Sequence, residues 1–558
     1  MYKIKTILMS VAVLIVLFSL AHADNAVLVK TIVGPDTLTS FGSAMATIKD
    51  FNGDGGIDLL IGAKDRSGSI GSPGWAYMYY GGSVYDSLWD VQYHGVQGRV
   101  GDYTGFGKAV SSAGAFNKDG YDDIVIGSPH YDDSLSSTWD DGRIYLYKGG
   151  PTPDTIPLWY KNHPHGDGAE FGYSVACLGD INKDGCSDII TGSPIDFKGG
   201  SMPGAAYIFL GDSINPDSGI DYELWGLRDD DFFGYSVGSC DLNGDGWKDV
   251  LVGAQGIETI PADTTILGRV YVYLGGAVFD TTCDLYYQGR QKGAHFGRSI
   301  SSGDFNHDGY EDVIVGEYGY NNNTGRAYIY LGGASPDTVP DLILSGTQTG
   351  ESFGYKVCGV GDLNDDSIDD YVASSPYYPA GSTTYMGKVL IYYGSSTLDT
   401  VPDMSISDKD SNSYFGYSIA GCGDINLDGK NEFALSDVGF YGNLKKVFIY
   451  NVDVNGIVGN ENNINLTKLY LSQNAPNPFK HKTAINCQLP NAGQMNICMF
   501  NITGQLVRTL VKEAKAAGSY KIFWDGKNNN GEALPNGIYL YRLMTNNFTI
   551  IKKAILIK

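Results

Sequence analysis

The body of the chain has no Lys/Arg-rich run, and its 39 basic residues face 63 acidic ones, a formal charge of −24. Such a field repels phosphate backbones and argues against nucleic acid as a partner. Helix-period runs are scarce, and beyond residue 23 no apolar stretch is long enough to span a bilayer. Cysteine is thin: eight in 558 residues make no disulfide framework. Four of them, Cys177, Cys240, Cys358 and Cys422, recur among small residues near one position of a repeated pattern, as buried small hydrophobes do. Charged residues are 18% and hydrophobic ones 42%, which excludes disorder as the main state. What abounds is Gly (75) and Tyr (40), the material of tight turns and short strands.

Residues 1–23 carry Lys3 and Lys5, an apolar stretch from Ile7 to Leu20, and Ala21-His22-Ala23. This is the pattern of a cleaved signal peptide, so the mature chain is expected to begin at Asp24 and to be secreted without a transmembrane segment.

Phe-Gly recurs at Phe41, Phe106, Phe171, Phe233, Phe296, Phe353 and Phe415, at intervals of 57 to 65 residues. Each interval holds four strand-like segments with alternating aromatic and β-branched residues. A sheet of that size cannot bury its faces alone and stacks on its neighbours in a ring, which predicts an all-β chain with a seven-bladed β-propeller over residues 24–452. The last repeat lacks a fourth strand after Tyr450, while Ala26 to Val33 precede the first Phe-Gly with nothing to pair with. Pairing the two closes the ring and removes a free edge.

Between the first and second strand of each repeat lies an acidic loop with oxygen donors at positions 1, 3, 5 and 9. The candidate metal ligands are Asp50, Asn52, Asp54 and Asp58; Asn117, Asp119 and Asp123; Asp180, Asn182, Asp184 and Asp188; Asp241, Asn243, Asp245 and Asp249; Asp304, Asn306, Asp308 and Asp312; Asp362, Asn364, Asp366 and Asp370; and Asp424, Asn426, Asp428 and Glu432. A set made only of oxygens, with Gly at position 6 in most loops, suits a hard cation such as Ca²⁺. The first half matches an EF-hand, but position 12 falls in an apolar strand (Ile61, Val252, Val315), so these are calcium loops of a β-hairpin kind. The alternative is a metal-free turn held by side-chain bonds to backbone. Against it, 20 of the 63 acids stand in these clusters and repel one another unless neutralised. In the second loop Ala115 replaces the first Asp, which leaves that loop open to either reading.

The Phe-Gly, the Asp-x-Asn-x-Asp-Gly-x-x-Asp loop and the Gly-Ala or Gly-Ser-Pro after strand two (Gly62-Ala63, Gly127-Ser128-Pro129) resemble the FG-GAP repeats of integrin α-subunit propellers and their bacterial relatives, over about Ala26 to Tyr450. The resemblance implies calcium in at least some blades and a role in adhesion. After a linker at 453–467, residues 468–558 lose the Asp loops. Through Pro476-Asn477-Pro478-Phe479, Trp524-Asp525-Gly526, Asn536 to Arg542 and the tail Lys552 to Lys558, they resemble the Ig-like C-terminal sorting domain of type IX secretion cargo. That resemblance implies the type IX machinery as a partner and a place outside the cell or anchored at its surface.

No catalytic constellation stands out. Gly234-Tyr235-Ser236-Val237-Gly238 fits a nucleophile elbow in letters, but the same register gives Gly172-Tyr173-Ser174 and Gly416-Tyr417-Ser418, each followed by an acidic loop instead of a helix. The expected function is a calcium-stiffened scaffold binding an extracellular protein or glycan, and not an enzyme. The alternatives are a secreted enzyme acting on polysaccharide at the propeller mouth and a purely structural surface component. Loops between strands two and three vary most, and their aromatic residues Tyr131, Trp139, Tyr318, Tyr320, Tyr377 and Tyr378 are the candidate ligand face.

Overall fold

The computed structural model describes residues 25–35, 39–65, 73–82, 86–96, 103–132, 140–165, 168–214, 216–256, 267–378, 385–408, 410, 412–439, 444–453, 470–471, 479–489, 493–502, 505–516, 518–545 and 549–557. The signal-peptide candidate at 1–23, Trp139, the linker after Asp453 and Pro476 to Pro478 lie outside them. The chain divides into compact units, one of which is Asn25–Asp453 and the other of which contains Val454–Lys558.

Asn25–Asp453 folds into seven four-stranded antiparallel sheets. In blade four, for instance, Phe233–Cys240 pairs with Asp249–Ala254, that strand with Arg269–Tyr273, and that one with Leu285–Gln288. The second and third strands are almost wholly buried, as expected of sheets covered on both faces by neighbours. First strands contact one another in sequence around the ring, from Thr39–Ile48 through Ala109–Gly114 and onward to Ile419–Gly423, which returns to Thr39–Ile48. They are therefore the innermost strands. The seventh sheet is completed by the N-terminus: Asn25–Val33 pairs with Lys446–Asp453 on the open side of that strand.

The Phe-Gly motif is the joint between blades. All seven phenylalanines are buried, and the glycine after each has positive φ, from +79° to +90°, a conformation that L side chains avoid. A Cβ added to the strand-two glycines Gly62, Gly127, Gly192, Gly253 or Gly316 would stand 1.8 to 2.2 Å from the carbonyl oxygen of the next blade's Phe-Gly glycine. The two short motifs of the repeat are thus two sides of one backbone contact. Blades six and seven use Ser374 and Ser436 there, close against Gly416 and Gly42. Gly127→Ala is expected to destabilise the ring by about 1–3 kcal/mol through overpacking, seen as a lower melting temperature; an unchanged melt would show that the joint has slack.

The C-terminal unit holds a three-stranded sheet (Tyr470–Leu471, Thr483–Leu489, Gly518–Trp524) and a four-stranded one (Leu506–Lys515, Gly493–Asn501, Gly537–Met544, Thr549–Leu556). They share one core around Trp524, Tyr541, Ile485 and Met499. Of the repeated cysteines, Cys240 and Cys422 are buried and Cys177 and Cys358 partly so, all as free thiols. Among the described residues the only α-helix is the short turn Tyr320–Asn323, and none is long and apolar enough to cross a membrane.

Candidate functional site

Antiparallel pairing puts every loop joining strand one to strand two on one side of the disc. The loops joining strand two to strand three fall on the other side, together with each Phe-Gly. The acidic loops occupy the first side. In loop one, the Gly53 and Gly55 N–H groups donate to the two oxygens of Asp50, at 2.7 and 3.1 Å. The Asp54 N–H donates to Asn52 Oδ1 at 2.9 Å, and the Asn52 amide donates to Asp54. Loops three to seven repeat much of this, with Gly185, Gly246, Gly309, Ser367 and Gly429 donating to the first Asp. Among the described residues no group of three or more His, Cys, Asp or Glu closes into a metal-holding cluster.

The position-nine acids also have a structural task that the sequence reading did not assign. Asp58 is fully buried and accepts from the Phe51 N–H at 2.8 Å and the Gly81 N–H at 3.0 Å, tying the loop to the end of the third strand. Asp188, Asp249, Asp312 and Asp370 do the same with Ile181 and Gly211, Leu242 and Gly275, Phe305 and Gly332, and Leu363 and Gly394. Glu432 reaches the Ile425 N–H and the Asn451 amide. Burial pushes Asp58 up to about 7, and the Asp54 and Asp50 charges add to it. Position eight, also missed, links neighbouring loops: Glu311 accepts from the Asp241 N–H at 2.7 Å and pairs with Lys248 at 2.8 Å, and Asp369 accepts from the Asp304 N–H.

Two loops test the fit of a cation. In loop four, Asp241 Oδ1 is buried without a hydrogen-bond partner, a vacant carboxylate oxygen inside an acidic cluster, which a hard cation would satisfy. In loop two, where Ala115 removes the first acid, Lys148 Nζ sits 2.9 Å from Asp119 and supplies positive charge from the protein itself.

On the opposite side the candidate aromatics separate. Tyr131 is only 7% exposed and lies under the Arg143 guanidinium, 3.6 Å from its ring centre, so it packs and does not form an open face. Tyr320 is covered in the same way by Arg326 at 3.6 Å. Tyr378, half-buried, has Lys388 Nζ 5.0 Å from its ring. Tyr318 and Tyr377 lie inward, with ring centres 5.4 and 5.9 Å from that of Tyr355. Tyr318 also stacks on His295 at 4.8 Å, and burial together with Arg298 lowers the His295 pKa to about 4. A depressed histidine contributes stability that is present above about 6.5 and lost as pH falls toward 4. Its imidazole proton signals should therefore titrate near 4 by NMR; a midpoint near 6.5 would contradict the packing.

Tyr355 belongs to a set that shares one repeat position but was not read as a site from the sequence. The residues directly after the seven Phe-Gly pairs, Ser43, Lys108, Tyr173, Tyr235, Arg298, Tyr355 and Tyr417, converge from the inner strands on one cavity of about 220 Å³. The sequence signal is the fixed place directly after Phe-Gly, filled in six of the seven repeats by a long polar side chain that opens an otherwise small and apolar strand.

Family models and sequence relatives agree with this architecture. The FG-GAP repeat model matches residues 106–147, 171–209, 233–273 and 296–330, and the FlgD Ig-like domain model matches 475–547. The chain is 32% identical over 247 residues to integrin alpha-5 of Xenopus laevis, covering 43% of this chain and 23% of that protein. It is 31% identical over 239 residues to integrin alpha-IIb of Mus musculus, covering 40% and 21%. The chain thus spans about a fifth of the length of these relatives. Among solved structures, PorZ, a surface component of the type-IX secretion system of Porphyromonas gingivalis, aligns over 90% of this chain and 58% of its own at 12% identity and a TM-score of 0.38. The Dos1 propeller aligns over 76% and 95% at 13% identity and a TM-score of 0.38. With seven four-stranded sheets joined in a ring through Phe-Gly, the Asn25–Asp453 unit is a seven-bladed β-propeller, similar to FG-GAP repeats over four of its blades and to integrin α-subunits, and residues 475–547 are similar to an Ig-like domain.

Proposed function

We propose that the protein is a calcium-stabilised scaffold outside the cell that binds a protein or glycan through the propeller face opposite its acidic loops. The observation that carries the reading is the division of labour between faces: acids crowd one side of the ring, and tyrosines with a few cations line an opening on the other. Six loops would hold Ca²⁺ through positions 1, 3, 5 and 9. The second loop, with Ala115 and the Lys148–Asp119 pair, is the one that dispenses with it. The ion supplies countercharge to carboxylates that otherwise repel, and so rigidifies the face without touching the ligand. The Ig-like domain would serve the type IX export machinery, placing the propeller at the outer surface, with adhesion as the biological role and no catalysis of its own.

Screening the full chain on protein and glycan arrays, with calcium and with EDTA, tests this. Binding is expected with calcium. A combined alanine variant at Trp139 and Tyr378 should lose it while melting within a few degrees of the parent, whereas Tyr131→Ala and Tyr318→Ala should lower the melt through lost packing. Undiminished binding in the combined variant would place the ligand elsewhere.

A further inference from the structure

The axial cavity concentrates positive charge in a strongly acidic chain. Lys64, Lys108, Arg298 and Lys356 all line it, although Asp and Glu outnumber Lys and Arg by 63 to 39 overall. Arg298 donates to the Tyr235 hydroxyl and, at 3.0 Å, to the Tyr355 hydroxyl, while Tyr173 donates to Tyr235 at 2.8 Å. These bonds hold the guanidinium in a fixed plane and leave its other donors for a ligand. Lys108 Nζ lies 3.8 Å from the Tyr173 ring centre. Burial holds its pKa well below the ordinary lysine value; Lys64, Arg298 and Lys356 act in the same direction, with Glu170 opposing. An incoming anion would favour the protonated amine that burial and the neighbouring cations disfavour.

Size and wall chemistry narrow the anion. At about 220 Å³ the cavity is smaller than the roughly 300 Å³ where drug-sized pockets begin. Tyr173, Tyr235, Tyr355 and Tyr417 pack on one another (ring centres 4.7 Å apart for Tyr173 and Tyr235, 5.3 Å for Tyr355 and Tyr417) and still line the cavity, so a sugar ring, with apolar faces for ring edges and hydroxyls for hydroxyls, matches this wall better than a lone carboxylate side chain.

We propose that the axial cavity binds an acidic monosaccharide unit, a uronic acid at the end of a glycan, with Arg298, Lys356 and Lys108 on its carboxylate and the four tyrosines around its ring. The proposal deepens the ligand-face reading and rests on it. Titration calorimetry of the full chain in calcium with glucuronate, glucose, sulfate and a Glu-rich peptide tests it. Glucuronate should bind at least tenfold tighter than glucose, sulfate or the peptide, and Arg298→Gln and Lys356→Gln should each weaken it tenfold or more. Lys356→Gln touches none of the tyrosine bonds of Arg298, so it keeps the test intact if Arg298→Gln fails to fold. Glucuronate binding no better than glucose overturns the proposal, and so does sulfate or peptide binding as tight as glucuronate. Glucuronate binding that survives both substitutions overturns the axial assignment while leaving the ligand face standing. Array binding that depends on the loop aromatics, without any glucuronate binding, does the same.

Discussion

In EDTA the protein is expected to melt on the order of 10 °C or more below its melting temperature in millimolar calcium, the largest effect of any single change of condition. Metal that binds only the folded state adds RT ln(1 + [L]/Kd) per site, about 1.4 kcal/mol at tenfold and about 2.7 kcal/mol at a hundredfold excess. Six loops then contribute about 8 to 16 kcal/mol, against a net stability for folded proteins of roughly 5–15 kcal/mol. The metal-free ring is left marginal because the acids of each loop are held close by backbone N–H groups and repel one another there. Extracellular modules often bind with Kd of about 10⁻⁴–10⁻³ M, so the calcium concentration must be stated. Two substitutions separate this from general screening. Asp245→Ala should remove much of one loop's calcium-dependent gain, whereas Asp119→Ala, whose carboxylate is paired with Lys148, should change the calcium dependence little. Superimposable melts in EDTA and calcium would refute calcium as a structural element.

Deleting Ala26 to Val33 is expected to make the protein aggregate. Asn25–Val33 runs antiparallel along Lys446–Asp453 from Asn25 opposite Asp453 to Val33 opposite Lys446, and Ile32 is fully buried with Val447 and Ile449. Without it the seventh blade keeps three strands, and the open side of Lys446–Asp453 presents unpaired N–H and C=O groups to any other chain. The clasp between the two ends of the ring is lost as well, since the same N-terminal segment leads directly into the inner strand Thr39–Ile48. Size-exclusion chromatography should show oligomers or precipitation, and the remaining soluble fraction should melt earlier. A truncated protein that does not aggregate and melts unchanged would mean that the clasp is dispensable.

Much of the architecture was legible because each repeat carries its own contacts. Phe41 and its six counterparts and the glycine that follows each recur with a small strand-two residue, glycine in five blades and Ser374 and Ser436 in the other two, because one backbone joint is made seven times. The missing fourth strand after Tyr450 pointed to the N-terminus for the same reason, since an open edge must find a partner. The acidic loops were legible as loops and as oxygen donors. Their division of labour was not: Asp58 accepts from Gly81, 23 residues away, and Lys148 reaches Asp119 from the end of the third strand. Tyr131 and Tyr320 looked like open loop aromatics, and only the strand-three arginines Arg143 and Arg326, which cover their rings, decided otherwise.

By itself, then, the sequence determined the number of blades, the joints between them, the closing strand and the acid-rich side, because these depend on residue types at fixed short offsets within one repeat. The tertiary structure alone decided what stands at the axis. Lys108, Tyr173, Tyr235, Arg298, Tyr355 and Tyr417 come from different repeats, about 60 residues apart along the chain, and each is a single unremarkable side chain at the start of its strand. Only closing the inner strands into a ring turns one repeat position, the residue after each Phe-Gly, into a single cavity of cations and tyrosines, because the period fixes the position but not how far the strands stand apart at the axis.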